Sequence, residues 1–324
     1  MSLQDYWYIA CENRELKEKP LARTLFDQHL ALYRDDAGKP AALLDRCAHR
    51  NMALSLGKVV GGCLECPYHG WRYVAAGHCE AVPSLGPGAT IPSSIRIPSF
   101  RCVEQDGYVW VHCSDKEPTA LPFSFPHATD PEWTTFRMKT RFAASVESCL
   151  ENFLDCPHTV FVHKGWFRNP DARSLTALVR RLPDSVEVEF KNEPTSDSVI
   201  ARLLYPNGQP LKHTDRFLMP NLSRVDYDFG PKHHFIITSQ CTPISEIETE
   251  VYNGDDLPLR PVGELDPALL RANEPPHYQT GCRYPCRANQ AAKAFRRSQV
   301  LPRRDRSPGP AYPIHAPPGR PGRS

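Results

Sequence analysis

The sequence predicts an α+β protein of two units: a β-rich N-terminal unit, then a helix followed by a series of antiparallel strands. Three observations predict it. Residues 1–115 hold short apolar runs separated by turn formers, Lys116 to Pro131 carries prolines at 118, 122, 126 and 131, and an apolar helical stripe then precedes a series of alternating strands. In the first unit, Thr24 to Tyr33 and Ala41 to Leu44 flank Asp35-Asp36-Ala37-Gly38-Lys39, a turn cluster that makes them a hairpin. Gly70 to Val74 and Gly107 to His112 read as further strands, the latter with Tyr108-Val109-Trp110-Val111 at its centre. The proline-rich segment, residues 116–131, is the expected linker. Beyond it, Val146, Leu150, Phe153 and Leu154 share one helical face, and Pro157 interrupts the helix by removing a hydrogen bond. Phe136 to Phe142, Val186 to Phe190, Ser198 to Tyr205, Thr214 to Leu218, Leu222 to Tyr227 and His234 to Pro243 read as the strands of residues 132–252.

Composition narrows the function. With 39 Lys plus Arg against 37 Asp plus Glu, no field points to nucleic acid or an anionic membrane. The start, Met-Ser-Leu-Gln-Asp-Tyr-Trp-Tyr, lacks a signal-peptide pattern, and no run of 18 apolar residues occurs, so a soluble, cytoplasmic chain is expected. In that setting the 12 scattered cysteines read as metal ligands and reduced thiols.

The ligand pattern is specific. Cys47-Ala48-His49 and Cys66-Pro67-Tyr68-His69 offer two thiolates and two imidazoles. Such a set holds either a tetrahedral zinc ion or a two-iron, two-sulfur cluster with both cysteines on one iron and both histidines on the other, whose neutral nitrogen ligands raise the potential to roughly −150 to +300 mV. Cys63, three residues before Cys66, adds a Cys-x-x-Cys spacing but reads as a spare thiol. The continuation Gly70-Trp71-Arg72-Tyr73, together with Cys47-Ala48-His49-Arg50, resembles the signature of the Rieske [2Fe-2S] non-haem iron oxygenases, the ring-hydroxylating and O-demethylating terminal oxygenases of the vanillate demethylase kind. By that resemblance Cys47 and Cys66 bind the inner iron, His49 and His69 the outer one, and Trp71 packs beside the cluster. It also implies a helix-grip, START-like catalytic domain.

A second constellation, Glu151-Asn152-Phe153-Leu154-Asp155-Cys156-Pro157-His158 and then His163, resembles the mononuclear iron site of the same family. Two histidines and a carboxylate on one face of iron(II) leave positions open for dioxygen and substrate. His158 and His163 are the expected imidazoles. Five residues on a regular helix separate side chains by about 140°, so the break at Pro157 is needed to re-aim one of them. Asp155 lies three residues before His158, within reach of its ring, or serves as a helix cap. The resemblance gives Asp155, with Asn152 beside it, a catalytic role as the bridge between the iron histidine of one subunit and a cluster histidine of its neighbour in a homotrimer. Phe153, Phe161, Trp166 and Phe167 are candidate pocket aromatics or simple packing residues.

From Asn253 to Ser324 the strand pattern stops, and proline and arginine abound: Pro275-Pro276, Arg296-Arg297, Arg303-Arg304, Pro317-Pro318. The family's third iron ligand, an aspartate in a late helix, has no counterpart here, although Asp255, Asp256 and Asp266 are candidates to replace it. Read one base out of phase, the codons of Gln279 to Pro285 permit Arg-Gln-Asp-Val-Asp-Ile-Leu, and those after Tyr252 permit Val-Met-Thr-Phe-Arg-Phe. The expectation is a frameshifted tail from residue 253.

The resemblance therefore implies an oxidoreductase that takes electrons ultimately from NAD(P)H through a separate reductase or ferredoxin. With its Rieske cluster and a mononuclear Fe(II) it would use dioxygen to hydroxylate or O-demethylate a small organic, aromatic substrate in hydrocarbon catabolism. The alternative is an inactive remnant or a protein that only transfers electrons, because the third iron ligand is missing.

Overall fold

The computed structural model describes residues 2–162, 176–191, 211–230 and 234–258. In the first unit, β1 (Trp7–Glu12), β2 (Leu21–Leu25), β3 (Gln28–Arg34), β4 (Pro40–Leu44), β5 (Lys58–Val60), β6 (Cys63–Glu65), β7 (Arg72–Tyr73), β8 (Cys79–Ala81), β9 (Ser99–Gln105) and β10 (Tyr108–His112) form two sheets. The larger has the order β1-β10-β9-β4-β3-β2 and the smaller β5-β6-β7-β8. The stretch expected as one strand from Thr24 is in fact two, because Phe26 and Asp27 turn with φ of 52° and 61° and join β2 to β3 as a two-residue hairpin. Aspartate tolerates that conformation, but phenylalanine rarely adopts it. It is held from outside, since their backbone N–H groups donate to Pro243 O and Ile244 O of the second unit at 2.9 and 2.8 Å.

The second unit comprises β11 (Trp133–Phe142), α1 (Val146–Leu154), α2 (Thr159–Val162), β12 (Thr176–Leu182), β13 (Ser185–Lys191), β14 (Lys212–Leu218), β15 (Leu222–Asp228), β16 (His234–Ser245) and β17 (Glu248–Pro258). All seven strands form one antiparallel sheet, β11-β17-β16-β15-β14-β13-β12. The strand expected at Ser198 to Tyr205 lies outside the described residues, and β12 was not anticipated. Helix α1 begins at Ser145, whose hydroxyl accepts from Ser148 N, and buries Cys149 and Leu150 against Phe142, Ala144, Cys241 and Val251. This is the helix-over-sheet layout expected of an α+β chain. At Asp155 the helix ends, and Pro157 sits in a 3-10 turn, Cys156–His158.

The two units pack sheet to sheet. Register slips in β1 between Ile9 and Cys11, leaving Ala10 as the extra residue of a bulge. Its carbonyl accepts from Tyr252 Oη at 3.0 Å and Arg23 Nε at 2.9 Å, while Thr242 Oγ1 donates to Ile9 O at 2.8 Å. Lys139 and Glu15 pair across the same seam at 2.7 Å.

Strand β17 continues without interruption across residue 253, paired with β11 as far as Pro258 and with β16 as far as Asp256. Its side chains there do not suit it. Asn, Gly and Asp are depleted in strands, yet Asn253-Gly254-Asp255-Asp256 occupies a strand bonded on both edges. Asn253 Oδ1, Asp255 Oδ1 and Asp256 Oδ2 are buried without hydrogen-bond partners, while Asp256 Oδ1 accepts from Thr135 Oγ1 at 2.5 Å. Asp255 lies in register between Phe136 and Ile237, and burial pushes its carboxyl up to about 7.

A carboxyl that ionises at its ordinary 3.8 when unfolded but near 7 when folded leaves stability greatest below pH 3.8 and lowers it as pH rises to about 7. Asp255→Val is therefore expected to stabilise the protein by on the order of 2 kcal/mol at pH 8 and by much less at pH 4. Denaturant unfolding at the two pH values checks this.

Candidate metal centres

The first centre is built on two loops of the same design. Cys47 N donates to Met52 O and Cys47 O accepts from Asn51 N, both at 2.9 Å; Cys66 N donates to Trp71 O at 2.8 Å and Cys66 O accepts from Gly70 N at 3.0 Å. Each cysteine is thus clasped by the residues four and five places on. The residue four places on, Asn51 or Gly70, has φ of 56° or 70°, the left-handed region that asparagine and glycine tolerate best. A Cβ at Gly70 would also come within 3.1 Å of Pro83 Cγ.

These loops bring the four donors together as two like pairs. Cys47 and Cys66 are buried and hydrogen-bonded to each other, and the backbone N–H groups of Tyr68 and His69 also donate to the Cys66 sulfur; burial holds its thiol above the ordinary value. The His49 and His69 rings lie 4.7 Å apart at the exposed end, and Trp71 stacks on His49 at 4.8 Å with the planes 4° from parallel. Sulfur with sulfur inside and nitrogen with nitrogen outside fits a cluster whose two irons take different ligands. Tyr73 adds what the motif did not reveal: its hydroxyl lies 3.2 Å from Cys47 Sγ and accepts from Ala48 N at 3.1 Å. Burial pushes the phenol up, so it stays protonated and can donate to the sulfur. Cys63 donates to Glu80 Oε2 at 2.8 Å and its thiol is pushed up to about 12, in keeping with a spare cysteine.

The second centre is partly described. The Asp155 carbonyl accepts the His158 backbone N–H at 3.2 Å and also meets His158 Nδ1. Of the two readings of Asp155, ring contact or helix cap, the structure puts it at the C-cap of α1, and its contact with the ring comes from the main chain, because the 3-10 turn folds the carbonyl back while the side chain remains exposed. If Nδ1 donates there, Nε2 is the ring atom that could take a metal. Asn152 is exposed, as is Phe161, while Phe153 packs edge-on against Phe142 at 6.0 Å. His163, Trp166, Phe167 and Asp266 lie outside the described residues. Cys156, His213 and Asp215, none of them anticipated, are buried with donor atoms within 4.8 Å of one another.

The paired donors fit a Rieske cluster, and residues 6–101 match the Rieske [2Fe-2S] domain family. The chain joins that domain to a second one with the fold of the Rieske non-haem iron oxygenases. Superposition on dicamba monooxygenase bound to 3,6-dichlorosalicylic acid gives a TM-score of 0.77 at 28% identity, covering 94% of this chain and 93% of that one. By sequence the chain is 39% identical over 228 residues to the oxygenase component of dicamba O-demethylase from Stenotrophomonas maltophilia, covering 69% of this chain and 62% of the relative. It is 34% identical over 177 residues to methylxanthine N1-demethylase NdmA from Pseudomonas putida, covering 52% and 50%. The sequence matches thus span about half to three-fifths of these relatives. A dicamba monooxygenase structure solved with non-haem iron superposes at 25% identity and a TM-score of 0.74.

A hydrogen bond to a cluster sulfur favours the reduced state. If it is worth about 1 kcal/mol more there, Tyr73→Phe lowers the reduction potential by about 40 mV. Voltammetry of the two cluster-loaded proteins gives the value.

Proposed function

We propose that this protein is the terminal oxygenase of a multicomponent system, acting on a small organic, aromatic substrate by hydroxylation or O-demethylation. The observation that carries the reading is the sulfur-inside, nitrogen-outside donor set joined to a helix-over-sheet domain that presents His158 at a helix break. Dicamba O-demethylase is described as an oxygenase component, and toluene-4-sulfonate monooxygenase of Comamonas testosteroni, 31% identical over 185 residues, has an iron-sulfur subunit within a larger system. These relatives support an external reductase or ferredoxin that draws on NAD(P)H.

The cluster would supply single electrons, and iron(II) at His158 and His163 would supply dioxygen activation. The protein's own contribution is positional. Buried Cys47 and Cys66 anchor the inner end, while exposed His49 and His69 form the edge through which an electron enters or leaves. Trp71 covers one face of His49. Asp155 is exposed beside the second centre, available to a cluster histidine of another copy, which supports a homotrimer in which electrons cross between subunits. Among the described residues no helix is long and apolar enough to cross a membrane.

Iron and acid-labile sulfide counted on anaerobically purified protein supplied with ferrous iron test this reading. Three irons to two sulfides per chain are expected. Two irons to two sulfides would remove the oxygenase reading and leave electron transfer, and absence of sulfide would remove both.

We further infer that residues 253 onward are read out of frame. Support comes from β17, where the backbone continues as a doubly paired strand while Asn253, Asp255 and Asp256 bury unpartnered oxygens; the shifted frame permits Val-Met-Thr-Phe-Arg-Phe there, which suits a strand. Genomic DNA sequenced across codon 252 and aligned with a close relative should show one base gained or lost. An uninterrupted frame in both would overturn the inference.

A further inference from the structure

The 3-10 turn after α1 and the first half of β14 bring together three side chains that the oxygenase reading does not use. Cys156, His213 and Asp215 are all buried, and one donor atom of each lies within 4.8 Å of the other two. His213 Nε2 and Asp215 Oδ1 are 2.8 Å apart, and the His213 ring is packed between Phe190 at 4.8 Å and Tyr227 at 4.4 Å. From the geometry we propose that these residues form a divalent-cation site of the thiolate, imidazole and carboxylate class, suited to zinc and separate from the histidine pair that begins at His158.

The donor chemistry sets the class. A thiolate at about 2.3 Å, an imidazole nitrogen at about 2.0–2.1 Å and a carboxylate oxygen at about 2.0–2.2 Å are the usual zinc ligands, and three of them leave a fourth tetrahedral position open. Ligand atoms around such an ion stand about 3.3–3.7 Å apart, so the histidine-aspartate pair, at 2.8 Å, opens by about half an ångström and the donors that now lie up to 4.8 Å apart close by up to about one. The 2.8 Å histidine-aspartate contact already pairs two of the three donors. A cation replaces the proton shared by that pair and the proton on Cys156 Sγ, and both leave to solvent as the three metal bonds form. Binding is therefore weaker at lower pH. Position adds support, since His213 and Asp215 are alternate residues of one strand and share a face, with the sheet fixing one side of the site and the turn closing it with Cys156.

The sulfur distinguishes this site from the iron site, whose recognised donors are nitrogen and oxygen. Cluster-loaded full-length protein, held anaerobically, is titrated with zinc sulfate and studied by zinc K-edge absorption, with sulfide per chain and the visible spectrum of the cluster monitored throughout. The expected result is one zinc per chain with one sulfur neighbour at about 2.3 Å while the cluster signals stay constant, which excludes Cys47 and Cys66 as its source. Cys156→Ser should lose the sulfur neighbour, and Asp215→Asn should weaken zinc binding at least tenfold with the cluster signals unchanged. Zinc surrounded only by nitrogen and oxygen in the unaltered protein, a sulfur neighbour that survives Cys156→Ser, or failure to retain zinc would overturn the proposal. The unaltered protein alone gives the first and third of these results, so the test does not depend on the variants folding. The iron-to-sulfide ratio is a separate measurement, so failure here leaves the oxygenase reading standing.

Discussion

The bulge at Ala10 is the constraint on which the relation of the two domains rests. One extra residue in β1 releases a backbone carbonyl from the strand ladder, and a buried carbonyl must find donors elsewhere. It finds Arg23 from its own domain and Tyr252 from β17, while Thr242 of β16 takes the neighbouring carbonyl of Ile9. These contacts bond β1, the edge strand of the first unit's larger sheet, to β16 and β17 of the second unit. Tyr252 also packs edge-on against Tyr108 at 5.8 Å, and the Arg137 guanidinium lies 4.8 Å above the other ring of that pair, Tyr108. The first centre is therefore carried by a unit whose position is fixed against β16 and β17 of the second.

Much of this arrangement was legible in the residues themselves. Cysteine and histidine spacing marks the cluster loops because their chemistry is local, and each loop closes within five residues. The helical stripe from Val146 to Leu154 and the break at Pro157 follow from periodicity and from one missing N–H. Other features depend on distant partners and left no local trace. Phe26 and Asp27 look like the middle of a strand, and they turn because the main chain of Pro243 and Ile244 receives their N–H groups. His213 and Asp215 are more than fifty positions from Cys156, and only the sheet brings them beneath the turn. The equivalence of Asn51 and Gly70 was present in the sequence, four places after each cysteine, but it acquires meaning only once both backbones are seen to adopt the same sign of φ.

Strand β17 shows how backbone and side-chain preferences part company. Pairing on both edges supplies its main-chain hydrogen bonds whatever side chains it carries, so the ladder persists through Asn253-Gly254-Asp255-Asp256. The mismatch appears as buried oxygens without donors and as a carboxyl held near 7. Such a segment weakens the sheet locally without abolishing it, because the cost falls on individual polar groups and not on the ladder.

The twin clasps around Cys47 and Cys66 have a consequence for the speed of electron movement. Each clasp is closed by main-chain hydrogen bonds, so the sulfur positions are set by the backbone and not by the charge on the iron. A cage of this kind has little to relax when one electron arrives or departs, so the reorganisation energy contributed by the protein is small and exchange can stay fast with little driving force.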